Sequence, residues 1–244
     1  MPSVKYAYLY FIGVFTLIYS CKESTSSANF SEPSESQTNL DDSIQEPMLI
    51  LDSPSETPTV IDYDTTLWKE LTPADDLIID LRYATENNFT HSKIYPCGRC
   101  FIRPVIAERV LQINQQLIIE KKWQLKLFDC YRPRPAQYRL WEKHPNETHV
   151  MHPSKGSMHN RGAAVDLTIV SIDGNEINMG TDFDDFGREA RHDYLNLPDQ
   201  ILENRNYLKT LMEAQGFKSI KSEWWHYSLS GQGSALSNWE WPCP

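Results

Sequence analysis

The sequence has no surplus of basic residues. Lys and Arg number 23 against 33 Asp and Glu, for a formal net charge of −10. Nothing is left over to neutralise a phosphate backbone, which excludes sequence-independent binding to nucleic acid. Acidity of this kind is an ordinary solubility feature and identifies no partner. No dinucleotide glycine motif follows a strand, and helices and strands do not alternate strictly as in doubly wound folds. Cys97-Gly-Arg-Cys100 has no second C-x-x-C and no thioredoxin-like surroundings, so it is a poor zinc knuckle and a poor redox motif. No internal repeat is visible.

What is present begins at the N-terminus. Residues 1–20 carry one lysine, no acidic residue and an apolar run from Tyr6 to Tyr19, a signal-peptide pattern too short to favour a spanning helix. The run ends Leu17-Ile18-Tyr19-Ser20-Cys21, which resembles the lipobox of bacterial lipoproteins. Lipidation of Cys21 would tether the exported chain to a membrane. Residues 21–59 are Ser, Glu, Asp, Pro, Thr and Asn with few large apolar residues, the composition of a disordered tether. The 244 residues then leave 60–244 for one folded domain. Cys97, Cys100, Cys130 and Cys243 remain, an even number that suggests disulfides in an exported chain; their pairing stays open.

Within 60–244, Leu77 to Tyr83 reads as a strand. Pro104 opens a helix whose stripe is Val105, Ile106, Val110, Leu111, Ile113, Leu117 and Ile118. Gln124 to Asp129 alternates as a strand, and Pro135 to Lys143 is a short helix. Val165 to Val170 reads as a buried strand, Pro198 to Gln215 as a helix capped by Gly216, and Trp224 to Leu229 as the last strand. These elements predict a single α+β domain, helices packed on a largely antiparallel sheet.

Two stretches carry chemistry. In Ser157-Met-His159-Asn-Arg-Gly162-Ala-Ala-Val-Asp166, an aspartate stands inside a buried strand, where it is costly unless paired or bound to metal. Glu223-Trp-Trp-His226 supplies a second histidine. A lone buried histidine is more often a hydrogen-bonded core residue than a ligand. Together, though, His159, Asp166 and His226 form an N/O ligand set with Glu223 beside it, the layout of a catalytic zinc with one open position. Glu223 and His226 would face opposite sides of a regular strand, which predicts a bulge or turn at Trp224-Trp225 that re-aims one of them. His91, His144, His149, His152 and His192 have no such spacing.

The ordered blocks Asp80-Leu-Arg-Tyr-Ala-Thr85, Asp129-Cys-Tyr-Arg-Pro133, Ser157 to Asp166, Met179-Gly-Thr-Asp-Phe-Asp184 and Glu223-Trp-Trp-His-Tyr227 resemble the D-alanyl-D-alanine dipeptidases, zinc enzymes of bacterial cell-wall peptide metabolism. The resemblance runs from Asp80 to Leu229. It implies one zinc per chain on His159, Asp166 and His226, with Glu223 as general base and acid and Arg132 on the scissile carbonyl. It further implies that Ser157 and Tyr83 fix the substrate and that Asp184 faces its free amino group. Cys130, where the family usually has a small residue, and the Cys97/Cys100 pair depart from the pattern. The expected reaction is hydrolysis of D-Ala-D-Ala in cell-wall turnover or salvage, on the outer side of a membrane. The competing readings are a carboxypeptidase or endopeptidase acting on longer stem peptides, and a non-catalytic wall-peptide-binding lipoprotein.

Overall fold

A computed structural model describes residues 61–231 and 235–244. The predicted signal peptide, Cys21 and the tether lie outside the described residues. In chain order the elements are β1 (Lys69–Leu71), β2 (Ile78–Ile79), β3 (Cys100–Ile102), α1 (Pro104–Lys121), β4 (Trp123–Asp129), α2 (Arg134–Lys143), β5 (Ala164–Ser171), α3 (Asp199–Ala214), β6 (Lys218–Ile220) and β7 (Glu223–Ser228). Five strands form the main sheet in the order β2-β4-β5-β7-β6. Only β2 with β4 is parallel, while β1 and β3 pair separately. The fold is the expected α+β arrangement on a largely antiparallel sheet.

The core lies where the sheet meets the helices. Leu125 and Leu127 of β4 pair with Ile169 and Leu167 of β5, and Tyr227 of β7 pairs with Val165. All six are fully buried. Helix α1 packs on β4, and α3 on β6 and β7. Pro104 occupies the first turn of α1, and Gly216, at φ +82°, supplies the left-handed residue just after α3.

One strand expectation needs correction. Of Leu77–Tyr83, only Ile78–Ile79 is strand, and Arg82–Ala84 turns into a 3₁₀ helix. The chain leaves the sheet where Asp80 ion-pairs with both Arg82 (3.0 Å) and Lys126 (3.2 Å). Strands β1, β3 and β6, three residues each, were not expected.

Two irregularities decide which side chains share a face. Along β4, Leu127 pairs with Leu167 but Asp129 pairs with Asp166, so an extra residue, Phe128, is accommodated. In a regular strand Asp129 would lie on the face of Leu127; the bulge transfers it to the opposite one. On β7 the pairing with β6 steps from Ser219↔Tyr227 to Ile220↔Glu223. Trp224, Trp225 and His226 thus crowd one step of the partner strand, the irregularity that the Glu223/His226 spacing predicts.

Two disulfides close the structure, Cys97–Cys243 and Cys100–Cys130. The first ties down a C-terminal tail. On that tail Trp239 stacks on Trp68 (5.1 Å between centroids), its carbonyl accepts from the Tyr131 hydroxyl (2.8 Å), and Trp241 packs edge-on against Tyr95.

Candidate active site

Across adjacent strands β4, β5 and β7, Asp129, Asp166 and His226 stand directly opposite one another. The row is a consequence of pairing register. His159 reaches it from a 3₁₀ turn, His159–Arg161, which ends on Gly162 at φ +68°. A Cβ at Gly162 would meet the Trp68 ring at 2.6 Å, so glycine is required there on two grounds.

His159 Nε2 lies 3.1 Å from His226 Nδ1 and 3.3 Å from Asp166 Oδ1, and His226 Nδ1 lies 2.9 Å from the same oxygen. Three ligand atoms from three elements, the 3₁₀ turn, β5 and β7, therefore converge on one point, and these residues could hold a metal ion. The other His159 ring nitrogen, Nδ1, lies 2.7 Å from the Cys130 carbonyl. Donation to that oxygen leaves Nε2 with its lone pair aimed at the cluster. Burial opposes charge on His159, but the carboxylates of Asp166 and Asp129 outweigh it and raise its pKa. Asp166 is the converse. Burial opposes its ionisation, yet the two imidazoles hold its pKa below the usual carboxylate range.

Tyr83, Arg132, Ser157, His159, Asp184, Glu223 and His226 all line one cavity of about 500 Å³. Asp166 is buried behind His159 and His226. Burial raises the Glu223 pKa, and the Asp166 carboxylate adds to the effect against the pull of His226. The Tyr83 hydroxyl donates to Asp184 (2.8 Å), and burial pushes Asp184 well above an ordinary carboxyl group. The acidic run divides by task. Asp182 pairs with Arg82, Asp185 accepts from the Gly187 amide, and Asp184 alone faces the cavity. Ser157 is fixed by Asn160, whose Oδ1 accepts from both the Ser157 amide (2.8 Å) and hydroxyl (3.2 Å).

Sequence reasoning missed the residues behind this cavity. Asp129, fully buried, accepts from Arg132 Nε (2.9 Å) and Nη2 (2.6 Å) and from the Tyr95 hydroxyl (2.6 Å). Gln137 accepts from Arg132 Nη1 (3.0 Å), and Asn160 donates to the Arg132 carbonyl (2.8 Å). Arg132 is thereby locked with its Cζ over Tyr83, 5.0 Å from the ring centre. The available signal was Asp129 ending a strand immediately before Cys-Tyr-Arg-Pro. His144 and His149, expected to be bland, pair at 3.0 Å, and His149 stacks on Phe186 near the cavity wall.

A cavity holding a two-histidine, one-aspartate cluster, a raised carboxyl and a locked arginine suits hydrolysis of a polar bond. Comparison with known proteins agrees. The sequence model of a peptidase family described as D-ala-D-ala dipeptidase matches residues 69–243. The D-alanyl-D-alanine dipeptidase of Escherichia coli (strain K12) is 35% identical over 156 residues, spanning 63% of this chain and 79% of that protein. The D-alanyl-D-alanine dipeptidase of Enterococcus faecium is 30% identical over 184 residues, 67% of this chain and 91% of its own length. That of Enterococcus faecalis (strain ATCC 700802 / V583) is 31% identical over 173 residues, spanning 62% and 84%. With the match reaching from β1 through the whole cavity to the disulfide-bonded tail, this chain is a metallopeptidase and belongs to the D-ala-D-ala dipeptidase family.

Proposed function

We propose that this protein hydrolyses D-Ala-D-Ala to two D-alanines with one zinc ion held by His159, Asp166 and His226. The observation that carries the proposal is the convergence of three ligand atoms beside Glu223 and Arg132 in one cavity. The donor set fits zinc in type, two imidazoles and a carboxylate. It also fits in size, because separations of 2.9–3.3 Å are close to the ~3.3 Å edge of a tetrahedron built on zinc–ligand bonds of about 2.0–2.1 Å. Zinc in such a site lowers the pKa of a bound water to about 7 and polarises a carbonyl.

The chain's own residues supply the rest. Glu223, raised by burial, is poised to take a proton at its carboxylate and hand it to the leaving amine. Arg132 cannot exchange its proton at neutral pH and is held rigid by Asp129 and Gln137, so it offers fixed positive charge to a developing oxyanion. The Tyr83–Asp184 pair would receive the substrate's ammonium group, and Ser157 its other end.

A second reading has support of its own. A cavity of about 500 Å³ lies in the range that encloses drug-sized ligands, more room than two alanines require, which favours longer wall peptides. The exported setting belongs to the proposal as well: a signal peptide over 1–20, a lipid on Cys21 and a tether over 21–59. Two disulfides support an oxidising compartment. Wall turnover or salvage outside the cytoplasm follows from that setting.

Metal content and hydrolysis of D-Ala-D-Ala, measured beside a peptide ending in the same pair, test the proposal. One zinc per chain with dipeptide turnover supports it. Zinc with turnover of the longer peptide alone would replace the dipeptide with the second reading. No zinc in the folded protein, even after its addition, would sink both.

A further inference from the structure

We propose that the buried Cys100–Cys130 disulfide is a positioning element for His159, and that the chain holds its metal tightly only once this pair is oxidised. The inference rests on the zinc reading above for its affinity readout. A second readout is independent of it.

His159 is held from the end of β4. Cys130 is one residue past the strand, where no sheet ladder fixes its carbonyl. That carbonyl nevertheless receives the Nδ1 of His159 at 2.7 Å, and thereby sets both the tautomer and the rotation of a metal-facing ring. Two residues on, the Arg132 amide donates to the backbone carbonyl of the same histidine (3.1 Å). Segment 130–132 thus grips His159 at ring and backbone. What grips the segment is strand β3. The Tyr131 amide donates to the Phe101 carbonyl (2.8 Å), and Cys100, on the same strand, is bonded covalently to Cys130. Neither sulfur-bearing residue is more than 1% exposed. A partner that orients a metal-bound histidine through its second nitrogen is commonly worth about 10–100-fold in metal affinity. Here that partner is a main-chain oxygen, so a covalent staple through its own residue is the direct way to hold it.

The other disulfide provides an internal control. Cys97–Cys243 fastens the C-terminal tail, its Cys243 end is exposed, and neither cysteine lines the cavity. It should matter to stability and not to His159.

The test compares C100A/C130A with C97A/C243A, each prepared as the full chain. Zinc affinity is read by competition with a chelator. In the metal-free protein, exchange of the His159 Nδ1 proton with water is read by NMR. Zinc affinity should fall about 10–100-fold in C100A/C130A and less than threefold in C97A/C243A. Exchange of the ring proton should be at least tenfold faster in the first variant alone. Equal losses in both variants, tracking their melting temperatures, would reduce the disulfide to a general stabiliser and overturn the inference. So would unchanged affinity and exchange in C100A/C130A.

A measurement without substitution covers the case in which that variant does not fold. The fully reduced form of the natural chain is prepared under reductant and then oxidised with glutathione disulfide. Each protein disulfide formed releases two protons and two electrons, which reduce one glutathione disulfide to two glutathiones. Peptide mass follows the two bonds separately. Slowing of His159 ring-proton exchange should track closure of Cys100–Cys130; tracking Cys97–Cys243, or neither, would overturn the inference. If the oxidised natural chain binds no zinc at all, the zinc reading fails, and the ring-proton exchange still decides whether the disulfide positions His159.

Discussion

The two disulfides begin at cysteines on the same short stretch and serve different parts of the molecule. Cys97–Cys243 spans 146 residues and Cys100–Cys130 spans 30. In the chain-entropy picture the wider loop restrains the unfolded chain more, by about 1.4 kcal/mol. The wider loop holds the tail and its tryptophans, while the narrower one stands beside His159. Stability and chemistry are therefore fastened at different points, and substitutions should separate them.

The largest separation should come from E223Q. Loss of general acid–base transfer lowers kcat about 10²–10⁴-fold, while Glu223, which makes no ion pair among the described residues, leaves the melting temperature within a few degrees. Parallel turnover and calorimetry would check this, and a large drop in melting temperature would break the separation. Asp129 belongs to both sides. D129N leaves the Arg132 guanidinium buried without its carboxylate, at about 3–5 kcal/mol of stability, and it frees the group proposed above to face the oxyanion. Denaturant titration and kcat should fall together.

W241A should act on the scaffold alone. Emptying the space between Tyr95 and Phe101 costs about 3 kcal/mol, with zinc affinity and kcat preserved where the variant is folded. The smallest effect belongs to His192, whose ring nitrogen Nε2 is buried without a partner. Burial, aided by Lys209 and Arg205, lowers its pKa to about 4. The unfolded chain takes up this proton near pH 6.5 and the folded chain does not. Stability should therefore decline as pH falls from about 6.5 towards 4, by roughly 1–2 kcal/mol once solvent screening of this partly exposed ring is allowed for. H192F should flatten that decline, as melting curves at pH 7 and 4.5 would reveal.

That His159, Asp166 and His226 gather beside Glu223 was legible because of residues that contradict their surroundings: an aspartate within a buried strand, a glutamate and a histidine around two tryptophans. Helices α1 and α3 were legible from their apolar stripes. Strands β1, β3 and β6 were not, because three residues cannot display a period. Asp129 looked like the polar end of a strand. Its importance arises from Phe128, and nothing about a phenylalanine announces a bulge. The cysteine pairing was equally hidden, since the neighbours Cys97 and Cys100 take partners 146 and 30 residues further along the chain.

The two bulges have a consequence for how this sheet can change. A strand has a phase, and inserting or removing one residue inverts everything beyond it. Here β4 slips once against β5 between Leu127 and Asp129, while β7 keeps register with β5 through His226 and slips instead against β6. Deleting Phe128 would restore an unbroken β4 without altering any polar residue, and would turn Asp129 away from Arg132. Length in these two strands is thus as tightly specified as composition. Surveys of relatives should find substitutions at position 128 far more often than gaps.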